Sequence, residues 1–281
     1  MRRHVRRTTR PMAVGVAAAT LAALLAGCAG SSVTRGCDAR VPQPQRLVAA
    51  VVRTFPHATD AFTEGLLIHD GHLYESTGMP GRSSLRVLDP QTGAEQRRAL
   101  LPARVFGEGL AVGSGNRLVQ LTWKGRTAFV WNPTSLKIVG RHRYRGQGWG
   151  LSTQPDGQLL MSNGSDRLTV RNPSTFAAVS TQTVRRLGGR ADQLNELEVD
   201  GSVVWANRWR TNEILRIDQR CGAVTGVVDA TALAQDAAAE SVANGAQIDV
   251  LNGIAKYPGT DHFLLTGKYW PKFYEVQFRP A

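Results

Sequence analysis

Residues 70–78 read DGHLYESTG: a turn pair, a short alternating strand and a closing glycine. The same phrase returns as SGNRLVQLTWK (114–124), DGQLLMSNG (156–164), DGSVVWANRW (200–209) and GTDHFLLTGKYW (259–270). The turn glycines Gly71, Gly115, Gly157, Gly201 and Gly259 are separated by 44, 42, 44 and 58 residues. Further strands follow each phrase and end in Asp-Pro or Asn-Pro turns, as in SSLRVLDPQTG (83–93) and TAFVWNPTS (127–135). A period near forty built from short strands is the pattern of a β-propeller, in which no unit can bury both faces alone. Five repeats predict an all-β, five-bladed β-propeller. A β-sandwich, or a six-bladed propeller with one degenerate unit, is the alternative. The long last interval holds ATALAQDAAAESVA (230–243), the one segment that suits a helix or an insert.

A second element precedes each turn glycine: FTEGL (62–66), FGEGL (106–110), GWGL (148–151), LNEL (194–197) and LNGI (251–254). In a propeller the innermost strand of each unit starts at this phase, and glycine lets backbones approach near a crowded axis. The residues just before those strands should therefore converge on one mouth of the channel. Phe62, Glu64, Phe106, Glu108, Trp149 and Asn195 are gathered there from distant positions.

Glu64 and Glu108 hold equivalent places in adjacent repeats. A carboxyl beside phenylalanine near an apolar axis loses hydration, which raises its pKa and suits proton transfer near neutral pH. Trp123 and Trp209 lie at strand ends on the same side, where aromatics would wall a small concave site. Trp131 and Trp205 read as packing. Lys268 ends the apolar run LLTG (264–267) and could compensate a buried carboxylate. No Gly-x-Ser-x-Gly elbow, P-loop or Cys-x-x-Cys spacing is present. His69 and His72, three apart beside a turn, are a weak metal pair. No metal and no cofactor is expected.

The first 27 residues read as an address. Met1–Arg10 holds five arginines and no acid, and MAVGVAAATLAALLAG (12–27) is apolar, long enough for a signal core and short for a membrane span. Leu25-Ala26-Gly27-Cys28 resembles a lipoprotein cleavage site, with Cys28 as the acylated new N-terminus, so the protein is expected outside the cytoplasm, lipid-anchored to the bacterial cell membrane. Residues 28–46 read as a lipidated tether and 47–281 as the folded domain. The chain carries 34 basic and 22 acidic residues, a net charge of +12; losing the five arginines leaves +7. That is a modest excess, with no basic stripe interleaved with aromatics, so nucleic-acid binding is not expected. In an oxidising compartment the two other cysteines, Cys37 and Cys221, suit one disulfide; two free thiols are the alternative. A monomer is expected.

The ordered strings AFTEGL (61–66), YESTG (74–78), FGEGL (106–110), LTWK (121–124), GWGLS (148–152), MSNGSDRL (161–168), LNELE (194–198), LNGIA (251–255) and LLTGKYWPKFYEV (264–276) resemble the plant and bacterial glutamine cyclotransferase family over residues 47 to 278. The resemblance implies a five-bladed propeller that closes N-terminal glutamine of peptides or proteins into pyroglutamate without a metal. It puts the catalytic glutamate on Glu108 and Lys268 in the pocket; Lys268 is the further catalytic candidate, as a donor to the negative charge of the tetrahedral intermediate. The substrate pocket falls on Phe62, Glu64, Phe106, Trp123, Trp149, Asn195 and Trp209. Position 64 is glutamine in some relatives, and Lys256 stands where relatives often have an aromatic residue. A non-catalytic propeller that binds peptides or glycans is the alternative reading.

Overall fold

The computed structural model describes residues 41–281. Strand β1 (Gln45–Pro56) opens it, and four-stranded antiparallel sheets follow in chain order. The first sheet is β2 (Thr63–His69), β3 (His72–Thr77), β4 (Ser84–Leu88) and β5 (Glu95–Leu100). The second is β6 (Gly107–Gly113), β7 (Arg117–Thr122), β8 (Thr127–Asn132) and β9 (Lys137–Arg143). The third is β10 (Leu151–Thr153), β11 (Leu159–Met161), β12 (Arg167–Arg171) and β13 (Ala178–Thr183). A small hairpin, β14 (Arg185–Arg186) and β15 (Gly189–Arg190), leads to β16 (Leu194–Asp200), β17 (Val203–Arg208), β18 (Glu213–Asp218) and β19 (Val224–Asp229). Helix α1 (Thr231–Ala243) precedes β20 (Leu251–Lys256), β21 (His262–Gly267) and β22 (Lys272–Pro280).

The architecture is all-β and propeller-like. Strands β2, β6, β10, β16 and β20 each lie beside the next in that order, and β20 returns to β2. The repeated glycines explain why they can. A Cβ on Gly65 would stand 2.8 Å from the Leu110 amide nitrogen, one on Gly109 2.4 Å from the Leu151 amide nitrogen, and one on Gly150 2.1 Å from the Asn195 carbonyl oxygen. The turn glycines serve the outer end of the same strands. Asp70 and Gly71 both have positive φ, 47° and 76°, in the two-residue hairpin between His69 and His72. That geometry matches the right-handed twist of the flanking strands.

Polar side chains on the second strand of one sheet reach the first strand of the next. Ser76 donates to the Glu108 carbonyl, and Ser162 donates to the Asn195 carbonyl at 2.6 Å. Asn207 Oδ1 accepts the Gly253 N–H at 2.9 Å. Between the sheets lie apolar layers that include fully buried Trp131 and, with Phe263 and Phe278, Trp205; both tryptophans are packing residues as expected.

The chain's first strand closes the set. Only three strands follow α1, and β1 supplies their fourth: it runs antiparallel to β22 from Leu47↔Pro280 to Pro56↔Lys272 and parallel to β19 from Gln45↔Gly226. Pairing thus begins at Gln45, two residues inside the expected tether. The helix foreseen at 230–243 is present; Leu233 and Ala237 are buried against the cluster containing Trp270 and Tyr274, and Lys272 binds Asp236 at 2.9 Å.

A buried ionic cluster fastens the first sheet to the last. His57 Nε2 lies 2.8 Å from Glu75 Oε1, and its Nδ1 lies 2.7 Å from the Trp270 carbonyl oxygen. Thr63 donates to the same Glu75 oxygen at 2.7 Å, and Arg86 Nε stands 3.9 Å from the other. Burial pushes the Glu75 carboxyl up, but His57, Arg86 and the Thr63 hydroxyl more than offset it, so it is held below the usual glutamate range. A carboxyl depressed in the folded state stabilises fully above its unfolded pKa, about 4.3, and loses that contribution as pH falls through the folded value. The urea midpoint is therefore expected to drop in acid, and Glu75→Gln to flatten that drop while lowering stability at neutral pH. A denaturation series across the acid range checks this.

Candidate active site

The strand starts and the returning second strands deliver nine side chains to one end of the ring. Phe62 and Glu64 come from the start of β2, Phe106 and Glu108 from β6, Trp149 from just before β10, and Asn195 from β16. Trp123, Trp209 and Lys268 follow the ends of β7, β17 and β21. Together with Arg210 and Asp249 they line one cavity of about 300 Å³. Every pocket residue expected from the sequence is in it. Lys256 is not: it pairs with Asp200 and lines a separate surface hollow with Trp205 and Phe263, so its difference from relatives does not touch this cavity. A larger cavity, about 580 Å³, lies along β1 and β19; among the described residues it has no aromatic wall and no buried carboxylate.

Backbone bonds set the mouth. Trp123 N–H donates to Phe106 O at 3.1 Å, Trp209 N–H to Gln193 O at 2.8 Å, and Lys268 N–H to Val250 O at 3.0 Å. Each ties the end of a second strand to the entry of the first. Two glycines make room for rings. A Cβ on Gly78 would stand 2.5 Å from the Phe106 ring, and one on Gly164, at φ +80°, 2.7 Å from the Trp149 indole.

The two glutamates are buried yet differently partnered. Lys268 Nζ donates to Glu64 Oε1 at 2.7 Å, and Asn252 Nδ2 donates to Oε2 at 3.0 Å. Burial pushes the Glu64 carboxyl up to about 7, with Lys268 pulling the other way and Asp249 adding to the rise. Glu108 is 4% exposed, and its carboxylate makes no hydrogen bond within the described residues. Burial first, then the charge of Glu64, pushes it well above the usual range, against Lys268. An unpaired, desolvated carboxyl facing a cavity is a proton donor and acceptor awaiting a ligand.

The walls are aromatic. Phe62 meets Phe106 edge-on at 5.8 Å and Tyr269 at 5.1 Å, and Trp149 meets Trp209 at 5.4 Å. Lys268 Nζ stands 4.4 Å over the Phe62 ring. Gln147, which the sequence reading passed over, holds two walls at once: its Oε1 accepts Trp123 Nε1–H at 2.8 Å and Trp149 Nε1–H at 3.0 Å. Neither of those indoles is free to stabilise an anion. Gln147→Leu is expected to raise KM several-fold with a smaller change in kcat, because the rings lose their shared anchor; steady-state kinetics on a glutamine-initiated peptide check this. Its signal in the sequence was slight, a polar residue one step before GWGL.

Glu196 was also missed, although its signal was plain: LNEL has glutamate where the other repeats have Gly65, Gly109, Gly150 and Gly253. Its carboxylate spans the ring, accepting Leu66 N–H at 3.3 Å and Ile254 N–H at 2.8 Å. Burial, then Glu198, pushes it well above the usual range. Asn195, beside it, has a buried Oδ1 with no partner.

Cys221 is disulfide-bonded; Cys37, its expected partner, and Cys28 lie outside the described residues. His69 is hydrogen-bonded to Asn116, and His72 packs edge-on against Tyr74 at 6.0 Å. Among the described residues no three His, Cys, Asp or Glu side chains are grouped as a metal would need.

Known proteins resemble this chain over most of its length. The family profile described as glutamine cyclotransferase matches residues 19–278. A curated glutaminyl-peptide cyclotransferase of Arabidopsis thaliana is 38% identical over 234 residues, 82% of this chain and 71% of that protein. The crystal structure of Myxococcus xanthus glutaminyl cyclase is 38% identical and superposes with a TM-score of 0.77, covering 85% of this chain and 100% of that one. Matched by that profile over most of its length and 38% identical to both relatives, this chain belongs to the glutamine cyclotransferase family.

Proposed function

We propose that the protein is a glutaminyl-peptide cyclotransferase, and that Glu108 moves the proton. The observation that carries this reading is the unpaired, buried Glu108 carboxyl in an aromatic cavity of a chain from this family. The substrate's α-ammonium enters opposite ionised Glu108. In a dry cavity the charged pair and its neutral counterpart, amine and carboxylic acid, are close in free energy, so the proton passes to Glu108. The freed amine attacks the side-chain amide carbon. That carbon's oxygen gains negative charge, the proton on Glu108 goes to the departing nitrogen, the C–N bond breaks and ammonia leaves. The ring nitrogen gives its second proton to the again ionised Glu108, which passes it to the ammonia, so that a neutral pyroglutamyl ring and ammonium result.

Lys268 and the unpartnered indole N–H of Trp209 are the donors placed to meet the developing oxyanion; Trp123 and Trp149 are spent on Gln147. Asn195 holds the first residue's backbone through its unpaired amide. The aromatic walls curl the glutamine side chain toward its own amine, which converts a floppy reactant into an oriented one. The charge of Glu64, offset in part by Lys268, raises the pKa of Glu108. We further propose that the sheets form a five-bladed propeller, a reading supported by the cyclic order of β2, β6, β10, β16 and β20 and by β1 completing the last sheet. Residues 1–27 would export the chain and Cys28 would carry its lipid anchor.

The pH profile tests the assignment. Glu108 must be ionised to take the proton, so kcat/KM should fall as pH drops through its raised pKa. Glu64 contributes to that rise, so Glu64→Gln is expected to move the acid limb to lower pH. An acid limb that stays in place in Glu64→Gln would remove Glu108 from the role.

A further inference from the structure

Cyclisation uses only the first residue of a peptide, and whatever follows must leave the cavity across its rim. That rim is unevenly charged. Lys124 Nζ lies 4.1 Å from the centre of the Trp123 ring, and Arg210 Cζ lies 4.2 Å over Trp209. Two wall tryptophans therefore each carry an exposed cation. The loops after every second strand and before every first strand open on this same end. They add Arg82, Arg104, Arg126 and Arg145, all exposed and none in an ion pair within the described residues.

Two of the four acids of these loops are engaged. Asp60 binds Arg86 at 3.0 Å and Arg98 at 3.4 Å, and Asp192 binds Arg208 at 3.4 Å. Asp166 and Asp249 remain unpaired; Asp249 lies inside the cavity wall near Lys268, where an incoming α-ammonium gains from it. The rim thus offers a carboxylate near the substrate's amine and cations around its exit.

We propose that this rim selects glutamine-initiated peptides whose next residues are aspartate or glutamate. The inference rests on the cyclisation reading and names its substrate class. A bilayer with anionic headgroups would meet the same charges, but lying flat on the rim it would cover the mouth. The two innermost cations stack on cavity walls, where a bound peptide passes. Exposed charge contacts of this kind are individually weak, screened by salt and additive in approach rather than in chemistry.

The test compares the full chain acting on Gln-Glu-Asp peptides and on isosteric Gln-Gln-Asn peptides. At low ionic strength the acidic peptide is expected to have a kcat/KM about three- to tenfold higher, carried by KM. The ratio should approach one at high salt and fall by at least half in a Lys124→Gln/Arg126→Gln/Arg145→Gln variant, which keeps Arg210, Arg82 and Arg104. A ratio of one at low salt, or one that the variant leaves unchanged, overturns the proposal. If the variant instead loses sedimentation with phosphatidylglycerol vesicles while keeping its peptide ratio, the patch belongs to the membrane and the proposal falls. Turnover of neither peptide would remove the cyclisation reading along with it, whereas equal turnover of both removes this inference alone.

Discussion

Glu108→Gln is expected to lower kcat by about 10²–10⁴-fold, the usual worth of a positioned proton shuttle, while leaving the fold intact. The two side chains have the same shape, and Glu108 makes no hydrogen bond within the described residues that the amide would lose. Stability gives an independent sign. A carboxyl whose folded pKa is raised contributes its stability below the unfolded pKa and loses it as pH rises through the folded value. The parent protein should therefore weaken as pH rises from the unfolded value, about 4.3, through the raised folded one, and Glu108→Gln should not. Urea denaturation of both proteins from acid to alkaline pH, beside steady-state turnover, separates the catalytic loss from any folding defect.

Lys268→Met is expected to destabilise the protein by about 3–5 kcal/mol, because it strands Glu64 as a buried charge without its cation. Both members of the pair are nearly inaccessible, 6% and 3% exposed at the side chain, so water cannot replace the lost ammonium. Asn252 alone would remain on Glu64 Oε2. The deficit should shrink in acid, where Glu64 takes up a proton and the stranded charge disappears. Adding Glu64→Gln to Lys268→Met should recover most of the lost stability at neutral pH, since a neutral amide needs no counter-ion. A double-mutant cycle by chemical denaturation measures this directly; additive losses would mean that the pair is not coupled. Activity should remain low in the double variant, because the oxyanion donor is still absent.

The repeat made much of this site legible. Turn glycines at a steady interval located the strand phase, and all five, Gly71, Gly115, Gly157, Gly201 and Gly259, do take positive φ. Once the phase was known, Phe62, Glu64, Phe106, Glu108, Trp149 and Asn195 followed from their place before inner strands, without any local motif. Trp123, Trp209 and Lys268 followed from the ends of the returning strands.

What stayed hidden depends on side-chain reach rather than on phase. Gln147 matters because one amide oxygen meets two indoles, a geometry that no spacing rule encodes. The cluster joins Glu75 and Arg86 of the first sheet to His57, just past β1 of the last, and each member alone reads as an ordinary polar residue. β1 was invisible as part of the last sheet because its partners, β19 and β22, lie at the other end of the chain. Glu196 is the exception: its break with the glycine pattern was in view, but the value of that break appears only once two facing amides are seen to end on its carboxylate.

The central claim is that this cavity cyclises N-terminal glutamine. Its most direct measurement is ammonia release from a short glutamine-initiated peptide by the purified protein, with the same peptide N-acetylated as control. Saturable release above the spontaneous rate with the free amine, and none with the blocked one, is the expected result. Release no faster than in buffer, from protein shown to be folded, would contradict it.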